Sequence, residues 1–69
     1  MPERLANRLK ECRNALDLTQ AQLAERVGVT RKTVNTVENG VFVPSTILAL
    51  KLADALGRSV EELFSVIED

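Results

Sequence analysis

The sequence lacks histidine altogether and has a single cysteine, Cys12, among its 69 residues. One cysteine cannot form an internal disulfide, and the absence of histidine removes the commonest nitrogen ligand for zinc. A chain this short buries only about 60% of its unfolded surface, so small domains usually gain support from a disulfide, a metal or a partner subunit. We therefore expect no metal and no cofactor, and a second copy of the chain is the remaining candidate for such support.

Long apolar runs are missing too. No stretch approaches the roughly 18 consecutive apolar residues of a transmembrane helix, and no unbroken apolar segment of the secretory type follows the N-terminus. The free thiol fits a reducing compartment. The sequence therefore predicts one domain over residues 1–69, cytoplasmic and without a membrane partner.

An enzyme is a remote alternative for this chain. Besides having no histidine, it has no phosphate-cradling glycine loop, and its length is too short to enclose a catalytic cavity. We therefore predict no catalytic residue and no small-molecule ligand.

Charge is nearly balanced, with a net value of −1, but it is unevenly distributed. Residues 1–44 carry seven basic and five acidic side chains, a net charge of +2, whereas residues 45–69 carry two basic and five acidic ones, a net charge of −3. One end of the domain is thus able to face phosphate groups. The asymmetry is mild, so it permits nucleic-acid binding without demonstrating it.

Capping residues and apolar spacing predict five short helices, with no strand alternation anywhere. The first helix begins near Pro2, and the second runs from a capping box at Thr19 to a stop at Gly28. The fourth opens at Ser45, and the fifth covers about residues 60–67 after a second capping box at Ser59. One face of the first helix carries Leu5, Leu9, Cys12 and Leu16. The predicted fold class is all-α, a compact five-helix domain.

The third helix, from Thr30 to Asn39, is too polar to be a core helix. Only Val34 and Val37 are apolar within it, and its β-branched residues do not favour a helix. Together with the second helix and the glycine turn between them, it forms a helix-turn-helix over about residues 19–39. Such a motif presents its second helix to the major groove of double-stranded DNA.

These segments resemble the Cro and phage-repressor type of helix-turn-helix domain, also called the xenobiotic-response-element family. The resemblance covers about residues 7–64 and implies a lambda-repressor-like fold and sequence-specific DNA binding. It depends on five motifs in order, which are LTQxxLA at residues 18–24, GVTRxTV at 28–34, VENG at 37–40, PS at 44–45 and ALGxSVEELF at 55–64.

The resemblance also implies roles for individual residues. It places Arg13 and Glu38 in a structural ion pair between the first helix and the end of the third. The residues expected to contact bases or phosphates are Gln20, Thr30, Arg31, Lys32, Thr33, Asn35, Thr36 and Asn39. The loop at residues 41–43 departs from the family, because it is apolar where relatives often carry lysine or arginine. Fewer phosphate contacts mean less counterion release and weaker binding.

Several apolar residues remain outside the predicted core, and a patch of this kind marks an interface. We hypothesise that they close a two-fold homodimer, whose two recognition helices would read a near-palindromic operator as a repressor. The predicted interface residues are Val41, Phe42, Val43, Ile47, Leu48, Arg58 and Val66. The alternative is a protein-interaction module, such as an adaptor or an antitoxin, that uses the same fold and the same patch.

Overall fold

The computed structural model describes residues 2–68, so Met1 and Asp69, the two ends of the predicted domain, lie outside it. Within this range the longest helix has 11 residues, and no helix is long and apolar enough to cross a bilayer. The elements in chain order are β1 (Glu3–Asn7), α1 (Leu9–Ala15), α2 (Gln20–Val27), α3 (Arg31–Glu38), α4 (Thr46–Leu56), α5 (Val60–Leu63) and β2 (Phe64–Glu68).

The two predicted capping boxes are present. Thr19 accepts a hydrogen bond from the backbone N–H of Gln22, whose side chain accepts one from the backbone N–H of Thr19. Ser59 and Glu62 repeat this exchange at the start of α5. The hydrogen bonds from the Ser59 backbone and side chain hold the pKa of Glu62 below its ordinary value. These local signals explain why the starts of α2 and α5 follow directly from the sequence.

The first helix is shorter than predicted. It begins at Leu9 instead of near Pro2, and Leu5 lies in strand β1. The side chain of Asn7 accepts a hydrogen bond from the Leu9 N–H, which starts the helix after the strand has ended. At the other end, Leu16 is the C-cap and is 49% exposed, so it does not continue the buried face.

The fifth helix is also shorter than predicted, and the all-α class is wrong in this detail. Helix α5 ends at Leu63, and residues 64–68 form β2, which pairs antiparallel with β1. Phe64 lies opposite Asn7 and is buried. The β-branched Val66 and Ile67 favour an extended chain, and pairing with β1 satisfies their backbone groups. Over residues 2–68 the fold is therefore five helices, as predicted, plus a two-stranded sheet that pairs the first and last described segments.

The core collects apolar side chains from all five helices and from the start of β2. Cys12 belongs to it at 3% exposure, as a small apolar residue. Leu48 belongs to it too, at 8% exposure, so it is a core residue with little surface to offer the predicted dimer interface. The buried apolar residues are Leu9, Cys12, Leu18, Leu23, Ala24, Val27, Val34, Val37, Leu48, Leu52, Ala53, Leu56, Leu63 and Phe64.

Asn7 joins the sheet to the helical part of the domain. Its Nδ2 donates to the carbonyl of Val37 at 3.0 Å and, more weakly, to that of Glu38 at 3.5 Å. Its Oδ1 accepts from the N–H of Leu9 at 3.0 Å. One half-buried side chain therefore starts α1 and satisfies carbonyl groups at the end of α3.

We expect Asn7→Ala to destabilise the domain by about 1–2 kcal/mol, because it removes the side-chain partner of the Leu9 N–H and one of the two partners of the Val37 carbonyl, which keeps the Gly40 N–H. Urea unfolding at neutral pH measures the change. Asn14→Ala is the matched control, since Asn14 is an exposed asparagine on α1. Equal unfolding midpoints for the two variants would contradict this role of Asn7.

Candidate nucleic-acid interface

Helices α2 and α3 are joined by a turn of three residues. Gly28 ends α2 in the left-handed conformation, with φ 75°, which glycine adopts without a steric penalty. The N–H of Val29 then bonds back to the carbonyl of Ala24 at 3.0 Å. Thr30 caps α3 by accepting a hydrogen bond from the N–H of Thr33. The turn thus reverses the chain and starts a new helix at once, as a helix-turn-helix requires.

The far end of α3 is fixed by Arg13 of α1. Arg13 Nε lies 2.7 Å from Glu38 Oε2, and Nη2 lies 3.2 Å from Oε1. The side chains are only 10% and 3% exposed, so the pair is bidentate and largely removed from water. Arg13 Nη1 also donates to the carbonyl of Leu18 at 2.7 Å, in the connection between α1 and α2. One guanidinium therefore ties together α1, the start of α2 and the end of α3.

The first turn of α3 carries two exposed cations, Arg31 and Lys32. Basic residues at a helix N-terminus oppose the helix dipole, so this placement does not serve the stability of the helix. All three predicted threonines are engaged locally. The hydroxyls of Thr30 and Thr33 lie 3.1 Å apart, and Thr36 donates to the carbonyl of Thr33 at 2.9 Å. The side chains of Arg31 and Lys32 are thus the polar groups at the N-terminal end of α3 that are most available to a ligand.

A chain of amide contacts runs along the polar side of α3. Gln20, the first residue of α2, donates from Nε2 to Asn35 Oδ1 and to Glu38 Oε1, both at 3.1 Å. Asn39, the C-cap of α3, donates to Asn35 Oδ1 at 3.3 Å. Arg31 Nη1 lies 3.4 Å from Gln20 Oε1. The structure thus brings four of the predicted DNA-contacting residues into one network with the buried ion pair.

Apart from the buried Leu48, the residues predicted to form the homodimer interface are exposed. Arg58 is exposed and lies 3.5 Å from Glu62 in an ion pair on the same surface turn. The exposed fractions of the apolar members are 78% for Val41, 46% for Phe42, 69% for Val43, 68% for Ile47 and 65% for Val66.

Sequence reasoning missed Leu50 and the apolar groove beside it. Leu50 is 57% exposed on α4 and follows Ile47 by three residues, a spacing that places the two on neighbouring parts of one helix face. The groove lies between α4, α5 and the sheet, and it is lined by Leu5, Val43, Pro44, Thr46, Ala49, Leu50, Val60, Glu61 and Phe64. Its sheet side could not be predicted while residues 3–7 and 64–67 were interpreted as helical.

Comparison with known proteins matches residues 9–63 to the Helix-turn-helix family. An uncharacterized HTH-type transcriptional regulator of Methanothermobacter thermautotrophicus is 52% identical over 62 residues, which cover 88% of this chain and 90% of the relative. The cryptic phage CTXphi transcriptional repressor RstR of Vibrio cholerae is 39% identical over 61 residues, and the match spans 88% of this chain and 51% of RstR. The crystal structure of the restriction-modification controller protein C.AhdI from Aeromonas hydrophila superposes with a TM-score of 0.76 at 42% identity, covering 80% of this chain and 83% of C.AhdI.

We expect Glu38→Ala to cost about 3–5 kcal/mol, because it leaves the buried Arg13 guanidinium without its counter-charge. That loss is comparable to the whole stability of a domain this small, so the variant should be largely unfolded at 25 °C. Thermal unfolding followed by circular dichroism measures it.

The control for this prediction is the double variant Arg13→Met with Glu38→Leu. It removes both charges together and should be more stable than Glu38→Ala. A Glu38→Ala protein that melts within a few degrees of the wild type would show that the Arg13–Glu38 ion pair contributes little to the stability of the domain.

Proposed function

Because the chain belongs to the helix-turn-helix family of Cro and phage-repressor type, we propose that it is a sequence-specific DNA-binding repressor, acting as a homodimer on a near-palindromic operator. We also infer that its five helices follow the lambda-repressor arrangement. The observation that carries the proposal is the exposed, cationic first turn of α3, on a helix that Thr30 caps at its start and that Arg13 and Asn7 hold at its end.

Base reading is proposed to centre on Arg31. Its guanidinium is exposed at the N-terminal end of α3, the part of a recognition helix that meets base edges in the major groove. Arginine is the side chain best suited to a bidentate contact with guanine O6 and N7. Lys32, Thr33 and Thr36 are proposed to contact neighbouring bases or phosphates. Thr36 would do so as an acceptor or through its methyl group, because its hydroxyl donates within the helix.

Phosphate binding is proposed to come from Gln20 at the start of α2, Thr30 at the start of α3 and Asn39 at the end of α3. All three are uncharged, and the loop after Asn39 has exposed apolar side chains at residues 41–43. Few counterions are therefore released per domain, and non-specific affinity should be low. Two copies bound to adjacent half-sites, about 34 Å apart, would compensate through their combined affinity.

The proposed dimer surface runs along the groove from α4 to the sheet. Val43 and Leu50 lie on its helical side. On its other side is Leu5, whose cross-strand partner Val66 is 65% exposed. Cross-strand partners project from the same face of a sheet, so Val66 extends the apolar lining of the groove. An exposed apolar surface that spans two elements favours association with a second copy.

We expect Arg31→Ala to lose preference at one base pair in each half-site, at a cost of about 1–3 kcal/mol. Selection of binding sites from random DNA, followed by titration at fixed salt, measures the preference. The control is Arg26→Ala, which removes an exposed cation near the end of α2 and should keep the wild-type preference. Wild-type discrimination by the Arg31→Ala protein would exclude this residue as the reader.

We expect the wild-type chain to sediment as a dimer at high micromolar concentration and Leu50→Lys to sediment as a monomer. The variant should also bind a two-half-site operator about tenfold or more weakly, because the benefit of joined half-sites is lost. Leu16→Lys is the matched control, since Leu16 is 49% exposed at the end of α1 and does not line the groove.

A wild-type protein that remains monomeric at these concentrations would contradict the homodimer. A chain that shows no salt-dependent retention on a DNA column would contradict the whole proposal and favour the protein-interaction alternative.

A further inference from the structure

Asn35 occupies the middle of the amide network on α3. Its Oδ1 accepts one hydrogen bond from Gln20 Nε2 at 3.1 Å and a second from Asn39 Nδ2 at 3.3 Å. A carboxamide oxygen has two lone pairs, so both of its acceptor sites are in use. An asparagine that reads adenine uses this oxygen together with its amide nitrogen. In the free protein that oxygen is already occupied by protein donors.

The two donors come from opposite ends of the helix-turn-helix in the sequence, and both reach the same oxygen atom of Asn35. Gln20 begins α2, and Asn39 ends α3. The Gln20 amide is held a second time by Glu38 Oε1, a carboxylate that Arg13 fixes in the interior. Asn35 is half-buried between these groups. Its position therefore connects both side chains to the rigid part of the domain.

We propose that Asn35 is a positioning residue that orients Gln20 and Asn39 before DNA arrives, and that it does not read a base. The inference rests on the proposed function, in which Gln20 and Asn39 contact phosphate, Gln20 by exchanging its hydrogen bond to Glu38 Oε1 for one to the phosphate while keeping the one to Asn35. Long amide side chains are mobile when unrestrained, and orienting them in advance lowers the entropy lost on binding. It also revises the sequence-based expectation for Asn35, which grouped it with the direct contacts.

The first test is a mutant cycle on operator DNA. Asn35→Ala should weaken operator binding about three- to tenfold, the effect of losing a net hydrogen bond or two, and leave base preference unchanged at every operator position. In the Gln20→Ala, Asn39→Ala background it should have little further effect, because the side chains it orients are gone. Asn14→Ala, an exposed asparagine on α1, should bind as the wild type does.

Either of two results would overturn the inference. One is a base preference that disappears with Asn35→Ala and survives in the Gln20→Ala, Asn39→Ala protein, which would make Asn35 a base reader. The other is a full Asn35→Ala effect in that background, which would mean that it acts through neither amide. If the wild-type chain has no sequence preference at all, the proposed function fails, and the inferred role fails with it.

The second test needs no DNA. In the free protein, Asn35→Ala should shift the side-chain NH2 resonances of Gln20 and Asn39 in nitrogen–proton correlation spectra and increase their mobility. The side-chain amide of Asn7, which bonds to the Val37 carbonyl, is the internal control and should not move. A general loss of structure would shift all three. Unchanged Gln20 and Asn39 resonances would overturn the positioning role even if the wild type binds its operator.

Discussion

The ion pair between Arg13 and Glu38 links the stability of this domain to the position of its recognition helix. Each partner needs the other, because an unpaired charge at this depth costs far more than the pair contributes. Arg13 also holds the Leu18 carbonyl, and Glu38 also holds the Gln20 amide. The pair therefore fixes the relative placement of α1, α2 and α3 in one contact, and the surface proposed to meet DNA inherits that geometry.

Helix α3 depends on such contacts more than the other helices do. It contributes two valines to the core, and its remaining side chains are polar or β-branched, so neither burial nor propensity favours it strongly. Thr30 caps its start, while Glu38 and the Asn7 amide secure its end. This support from outside leaves the exposed face free to carry residues such as Arg31, which a helix stabilised only by its own sequence would disfavour.

The sequence predicted those parts of the structure that short-range signals determine. Capping boxes, stop residues and helical spacing located α2, α3 and α4, and the polarity of α3 identified the candidate interface. The prediction from sequence was wrong near both chain ends, where residues 3–7 and 64–68 form strands. Each segment is too short and too irregular in its alternation to indicate a strand by itself. Their conformation depends on pairing with each other across the whole chain, and no local pattern contains that contact.

The missed sheet bears on function because Asn7 lies at its end. The pairing of β1 with β2 places Asn7 opposite the buried Phe64, and from there its amide reaches the last carbonyls of α3. Helix α3 is thus secured by two side chains, Arg13 from α1 and Asn7 from β1, the strand that precedes α1. The sheet also supplies Leu5 to the groove proposed for the dimer, and the exposed Val66 is its cross-strand partner. A two-stranded sheet at the chain ends therefore contributes to both surfaces on which operator binding is proposed to depend, although none of its own residues is proposed to contact a base.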